Sequence, residues 1–271
     1  MVRHSSYDMK ASKVNLIYYS PTGTSKKVLE GIAKGLGIKD IGQIDLTPAK
    51  EASKSHSIPA GELAIIATPV YGGRVPIVAT QRFKTVKGNG TPTVLVAVYG
   101  NRAIEDALIE LKDITIEQGF RTVAAAAFIG EHSFSNDATP IAPGRPDSED
   151  IEKAKKFGEQ VKAKLEGMTK IVEITVPGNK PYKERNPSGP RFPETTPQTC
   201  TLCGACAEVC PTEAIAIGDK VETAKEKCTA CSACVKACPT GARVWTNEGI
   251  KKAATWLHNE YSKRREPEYF L

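Results

Sequence analysis

No cysteine occurs before Cys200 or after Cys238 in this chain of 271 residues. A disulfide framework running through the chain is therefore excluded. Long apolar runs are missing too. No stretch approaches the ~20 apolar residues that a bilayer crossing needs. Residues 1–13 contain no apolar run of signal-peptide type. The expectation is a cytoplasmic protein without a membrane partner. Two nucleotide signatures are also absent: there is no G-x₄-G-K-[ST] loop and no G-x-G-x-x-G fingerprint. The net charge is +6, but no basic run coincides with an aromatic stacking platform, so nucleic acid is not an expected partner. Lys251-Lys252 and Lys263-Arg264-Arg265 read as solvated helix faces.

What the chain does contain is one cysteine pattern used twice. Cys200-x₂-Cys203-x₂-Cys206-x₃-Cys210-Pro211 is followed, 28 residues on, by Cys228-x₂-Cys231-x₂-Cys234-x₃-Cys238-Pro239. Cysteines at i, i+3 and i+6 can wrap one tight loop around three corners of an iron–sulfur cubane, and the fourth ligand must come from elsewhere. Ala205, Ala207, Ala230, Ala233 and Ala237 are small, so the loop backbone can approach closely. A zinc ribbon uses two ligand pairs, whereas these are two sets of four with a proline after each. The pattern resembles bacterial two-cluster ferredoxins. That resemblance implies two [4Fe–4S] clusters with crossed ligation. One would take Cys200, Cys203, Cys206 and Cys238; the other would take Cys228, Cys231, Cys234 and Cys210. Residues 213–217 read as a strand, Gly218-Asp219 as a turn and 220–222 as a returning strand, and 241–245 match the first strand in position. The expectation is a small α+β module with pseudo-two-fold symmetry, held together by its clusters.

The region up to Val176 alternates apolar runs with charged helical segments, the pattern of a parallel sheet covered by helices. Strands are predicted at 14–19, 41–46, 63–67, 93–98 and 122–129. Helices are predicted at 24–37, 102–118 and 148–165, with Ser148 as the N-cap of the last. Five strands with alternating helices give a doubly wound α/β fold, with ligands at the carboxyl edge of its sheet. The loops at that edge are Ser20-Pro21-Thr22-Gly23-Thr24-Ser25, Thr68-Pro69-Val70-Tyr71-Gly72-Gly73-Arg74-Val75-Pro76, Tyr99-Gly100-Asn101-Arg102 and Gly130-Glu131-His132-Ser133-Phe134. The first opens directly into a helix, so its backbone N–H groups and hydroxyls can cradle a phosphate; ordinary helix capping is the competing reading.

These loops, in this order, resemble those of flavodoxins, and the chain as a whole resembles the fused flavodoxin–ferredoxin proteins of anaerobic bacteria and archaea. The first loop departs from the commoner T-G-N-T, reading Thr22-Gly23-Thr24-Ser25. The resemblance implies bound FMN. Ser20, Thr22, Gly23, Thr24 and Ser25 would hold its phosphate. Pro69, Val70, Tyr71, Gly72, Gly73 and Arg74 would line one side of the ring, and Tyr99, Gly100, Asn101 and Arg102 the other. Gly130, Glu131 and His132 would meet the flavin edge. Tyr71 and Tyr99 are candidates to stack on the ring, with packing at the sheet edge as the alternative. Arg74 and Arg102 would favour the anionic reduced flavin unless they are engaged in surface pairing.

The domains expected are a tail at 1–12, a flavodoxin-like unit at 13–176, a proline-rich linker at 177–197, a ferredoxin unit at 198–246 and a C-terminal helix and tail at 247–271. Prolines 177, 181, 187, 190, 193 and 197 make the linker extended, with Tyr182 and Phe192 as anchors on the surface. A helix from the cap Asn247 to about residue 265 carries Ile250, Ala254, Leu257 and Tyr261 on one stripe. It is expected to dock on one of the two units, a homodimer contact being the alternative. The function expected is electron transfer between FMN and the clusters, linking two-electron to one-electron steps and serving redox partner proteins, with no catalytic side chain. Two rivals are an FMN-dependent reductase of a quinone, flavin or nicotinamide, and a flavin-free docking module carrying a ferredoxin.

Overall fold

The computed structural model describes residues 11–185 and 191–271. Residues 1–10 of the expected tail, and Pro187 and Pro190 of the expected linker, lie outside them. The N-terminal unit runs β1 (Val14–Tyr18), α1 (Thr24–Leu36), β2 (Ile41–Asp45), β3 (His56–Ile58), β4 (Leu63–Pro69), α2 (Ile77–Phe83), β5 (Val86–Gly88), β6 (Thr91–Tyr99), α3 (Ala107–Glu117), β7 (Phe120–Ile129) and α4 (Ser148–Glu166). The second unit adds β8 (Glu194–Thr195), α5 (Ala205–Glu208), β9 (Ile215–Ile217), β10 (Val221–Thr223), α6 (Ala233–Lys236) and β11 (Arg243–Val244), and the chain ends with α7 (Glu248–Tyr261) and β12 (Glu268–Phe270).

The main sheet has the order β2-β1-β4-β6-β7, all parallel. Numbered among themselves these strands read 2-1-3-4-5, the flavodoxin-like doubly wound order. Strand parity divides the core. Val14, Leu16, Val94, Val96 and Phe128 face α1 and α4. Ile17, Ile66, Leu95, Ala97 and Ala125 face α2 and α3. A sixth strand was not expected: β12 pairs antiparallel with β7. Its Tyr269 stacks on Phe157 at 4.9 Å, while Phe270 packs on the opposite face of the sheet.

Three boundaries move. Helix α3 begins at Ala107 rather than at Arg102, because Asn101 (φ 63°) and Glu105 (φ 45°) hold left-handed backbone that no α-helix contains. The cap of α4 is Asp147, not Ser148. Its carboxylate accepts from Asp150 N, and Asp150 accepts from Asp147 N, a capping box. The C-terminal helix ends at Tyr261, with Asn247 capping it through Ile250 N at 3.1 Å.

In the second unit, β9 pairs with β10, and β11 pairs with β8, both antiparallel. The partner of β11 is thus drawn from the end of the proline-rich segment. Residues 179–185 of that segment lie along α3 and its cap. Asp106 accepts from the N–H groups of Asn179 (2.8 Å) and Lys183 (2.6 Å). The Tyr182 hydroxyl donates to Asp113, and the Arg74 guanidinium covers the Tyr182 ring at 4.5 Å. Phe192 instead meets Lys225 of the second unit, at 5.3 Å.

The two units meet along a seam. Arg82, only 4% exposed, donates to the carbonyls of Leu46, Thr47 and Pro211, and lies 5.6 Å from the Tyr19 ring. Three carbonyls and an aromatic face replace the water that a buried cation gives up. Lys236 donates to Glu131 Oε1 (2.5 Å) and Ser135 O (3.1 Å). Trp245 meets Phe134 edge-on at 5.4 Å, and Phe134 meets His132 at 5.1 Å. Burial pushes His132 down to about 4, and the charges of Arg102 and Lys236 act in the same direction.

This sets a pH dependence. An unfolded histidine titrates near 6.5, so above that value the ring is neutral in both states. Below it only the unfolded chain takes the proton, and stability falls as pH drops towards about 4. Relative to His132→Gln, the wild-type protein should lose up to about 3 kcal/mol between those values in denaturant titrations. Parallel profiles would place the ring in water.

Candidate functional site

The loop after β1 is built around a helix start. Ser20 Oγ accepts from Lys26 N at 3.2 Å, and Gly23 N donates to Ser20 O at 3.0 Å. Ser20 Oγ thus meets one N–H of the first turn, while the N-cap residue is Gly23. Gly23 sits at φ 79°, with open space where a side chain would begin. The N–H groups of Thr24 and Ser25 have no acceptor among the described residues, as at any free helix N-terminus. Ser25 Oγ is buried without a partner. Thr22 and Thr24 flank the opening, and Gly130 comes up against Thr24 from the loop after β7. The N-terminus of α1 is thus an anion site in form.

The loop after β4 is a hairpin. Tyr71 and Arg74 exchange backbone hydrogen bonds of 3.0 and 3.1 Å around Gly72 (φ 60°) and Gly73 (φ 83°). Two left-handed central residues make a type I′ turn, which glycine permits. Pro69 and Val70 stay on the sheet, Val70 N donating to Val98 O. Arg74 turns away from the crevice. It forms a fork with Glu110 (2.8 and 2.9 Å) and donates to Lys183 O. Arg102 pairs with Glu105 at 2.8 Å. Both guanidinium charges are met by carboxylates, so the surface-pairing reading describes them.

Tyr99 is not free to stack. It is 3% exposed, packed with Ala127, Ile129 and Ala142. Asn101 gives its amide N–H groups to the carbonyls of Tyr261 (2.5 Å) and Lys263 (2.8 Å), while its Oδ1 is buried without a partner. The tail after α7 is thereby tied to this loop. His132 packs against Gly100, where no Cβ would fit. Glu131 is held by Lys236 and by Gly144 N. Of the two candidate tyrosines, Tyr71 lies near Tyr19 and the Cys231 sulfur; the Tyr19 hydroxyl is buried without a partner.

The cysteines line two hollows. Cys210, Cys228, Cys231 and Cys234 border one. Cys200, Cys203, Cys206 and Cys238 border the other. Left-handed backbone recurs at matching points of the two motifs: Leu202 with Ala230, Gly204 with Ser232, and Glu213 with Gly241. Strain held at non-glycine residues on both sides of a pseudo-two-fold axis marks a shape imposed by what the loops enclose. Burial pushes the Cys231 thiol up to about 12 and raises Cys206, Cys228 and Cys234. Such sulfurs become thiolates only when a metal supplies the compensating charge. Cys238 is lowered: burial would raise it, but N–H groups of Arg243, Thr240 and Ala242 and the Thr240 hydroxyl outweigh that.

The first hollow adjoins the flavodoxin-like unit. Burial, then the neighbouring Cys231 sulfur, raises both Tyr19 and Tyr71. Pro211, on the rim of the hollow, gives its carbonyl to Arg82. The sequence reading missed Arg82, Tyr19 and Arg243 as site residues. Arg243 alone carried a signal: it stands 28 residues after Ile215, a cation at an apolar strand position.

Residues 199–242 match the family model of the 4Fe-4S dicluster domain. Among curated proteins no relative matches. Similar solved structures include a flavodoxin from the domain Archaea (14% identity, TM-score 0.36, covering 56% of this chain and 98% of that one). A flavodoxin from Streptococcus pneumonia TIGR4 (18%, 0.39, 56% and 99%) and Flavodoxin 2 from Bacillus cereus (16%, 0.40, 56% and 99%) are also similar. By its strand order and its cysteine motifs, the chain joins a flavodoxin-like α/β unit to a 4Fe-4S ferredoxin-type unit, the organisation of a flavodoxin–ferredoxin fusion.

Proposed function

We propose that the chain is an electron-transfer protein that holds FMN at the carboxyl edge of its main sheet and a [4Fe–4S] cluster in each cysteine-lined hollow. The observation that carries this is the hollow of Cys210, Cys228, Cys231 and Cys234 set against Tyr19 and Tyr71. Bound FMN would supply two-electron or one-electron chemistry, and the clusters one electron each. The chain's own residues would bind, orient and exclude water. Thr22, Gly23, Thr24 and Ser25 fit the phosphate through an open helix N-terminus and an orphaned buried hydroxyl. Tyr71 and its hairpin would form one wall of the ring site. Arg82 fixes the rim of the near hollow to α2. Cys203, on the other hollow, is exposed, so a redox partner protein would approach there. The division at 13–176 and 198–246 belongs to this reading, with Glu194 and Thr195 joined to the second unit through β11. Among the described residues no helix is long and apolar enough to cross a membrane.

Three measurements test it. Anaerobic purification should give about eight irons and one FMN per chain; four irons, or no flavin, would sink the inventory. Gly23→Val forces a β-branched residue into a left-handed conformation at the phosphate site, so FMN affinity should fall about tenfold or more in a fluorescence titration, with iron content unchanged. Arg82→Met leaves three buried carbonyls without their cation and should cost about 3 kcal/mol at the seam. In that variant, transient absorption should show flavin-to-cluster transfer slowed at least tenfold while both cofactors are retained. An unchanged rate would mean that the seam does not set the transfer distance.

A further inference from the structure

Arg243 is 2% exposed and borders both cysteine-lined hollows. It donates to Thr195 Oγ1 (2.7 Å) and Thr223 Oγ1 (3.1 Å), and one guanidinium nitrogen lies 3.9 Å from Cys234 Sγ. Its Nε is buried without a partner. No carboxylate pairs with it among the described residues. The module is otherwise built on a 28-residue repeat, and the matching position in the first half is Ile215, which packs with Cys206 and Cys234. One half of the pseudo-symmetric pair thus has an alkyl side chain where the other has a cation. A buried guanidinium cannot shed its proton, and without a counter-ion it is strongly destabilising. Two hydroxyl groups share its hydrogen bonds but carry no charge. The anion it needs has to come from the hollows.

We propose that Arg243 is the built-in counter-ion of both clusters: it raises their reduction potentials, most for the cluster of Cys210, Cys228, Cys231 and Cys234, so that an electron held by the pair rests beside the flavodoxin-like unit. The inference rests on the cluster reading above. The step itself is simple. One electron enters a cluster from a one-electron reductant, no bond forms or breaks, no proton moves, and the cluster becomes more negative by one charge. A fixed cation stabilises the more negative state. The effect is largest where the guanidinium reaches a ligand sulfur directly.

The test is a redox titration of the full-length, cluster-loaded protein, followed by electron paramagnetic resonance. Arg243→Met keeps an unbranched side chain comparable to the aliphatic stem and removes the charge. Both one-electron waves should move to lower potential, at least one of them by a tenfold change in the equilibrium, about 59 mV. The gap between them should narrow. Arg243→Lys should restore most of the shift. If the Met protein does not retain iron, Arg243→Gln, which can still hydrogen-bond the two threonines, carries the same expectation. Loss of iron in both neutral variants but not in the lysine variant would also support the cation's role; loss in all three would overturn it. Wild-type protein without iron would remove the reading beneath the inference. A fully loaded Met protein with unmoved waves would overturn the inference alone.

Discussion

One chain crossing organises the molecule. Cys210 belongs to the first cysteine motif but borders the hollow of the second, and Cys238 makes the reverse crossing. Neither half of the module can then be completed without the other. The residue after Cys210 extends this dependence to the larger unit, because the Pro211 carbonyl is taken by Arg82 of α2. A proline at that point has no N–H of its own to place, and its carbonyl is free to be claimed from outside. The ligand that crosses between hollows is thus next to the contact that docks them.

The docking has a strong part and a weak part. Along α3, Lys180, Lys183 and Arg185 pair with Asp113, Glu105 and Glu110, but the first two cations are largely exposed. Such pairs contribute about 0–1 kcal/mol each and are screened by salt. They guide the segment rather than hold it. Arg82 and Asp106 differ, because their partners are backbone groups removed from water. Breaking either set leaves buried polar groups unmatched, which is why the seam is a fixed geometry and not a tethered approach.

Much of this was legible in the sequence, for reasons that differ from place to place. Cysteine spacing is read directly because ligand reach along the chain dictates it. Four of the five parallel strands are read because buried strands are nearly apolar throughout; β2, an edge strand, has no buried residue. The roles of Arg74 and Arg102 were not legible, since Arg74 meets its partner Glu110 only across 36 residues of tertiary structure. Tyr99 was decidable in principle. It stands two residues beyond Ala97 and four beyond Leu95, so it shares their buried face. The strand β12 was out of reach, because three residues carry no usable period. Two-residue β8 was out of reach for the same reason.

Arg82 and Arg243 bear on the same hollow from different elements. Arg82 holds its rim at Pro211, and Arg243 touches Cys234. Neither has a carboxylate partner among the described residues, and both are at least nine-tenths buried. A protein rarely leaves one buried cation uncompensated, and two beside a single cavity form a positive field that carbonyl and hydroxyl dipoles only partly offset. The three thiols lifted by burial, those of Cys228, Cys231 and Cys234, do not supply the missing charge by themselves. Thiolates bound to an iron–sulfur core do, because the core fixes them in the ionised form while the assembly stays anionic. On the proposed reading the charge balance of the seam would close only when that hollow is filled, and docking and cluster loading would stabilise each other.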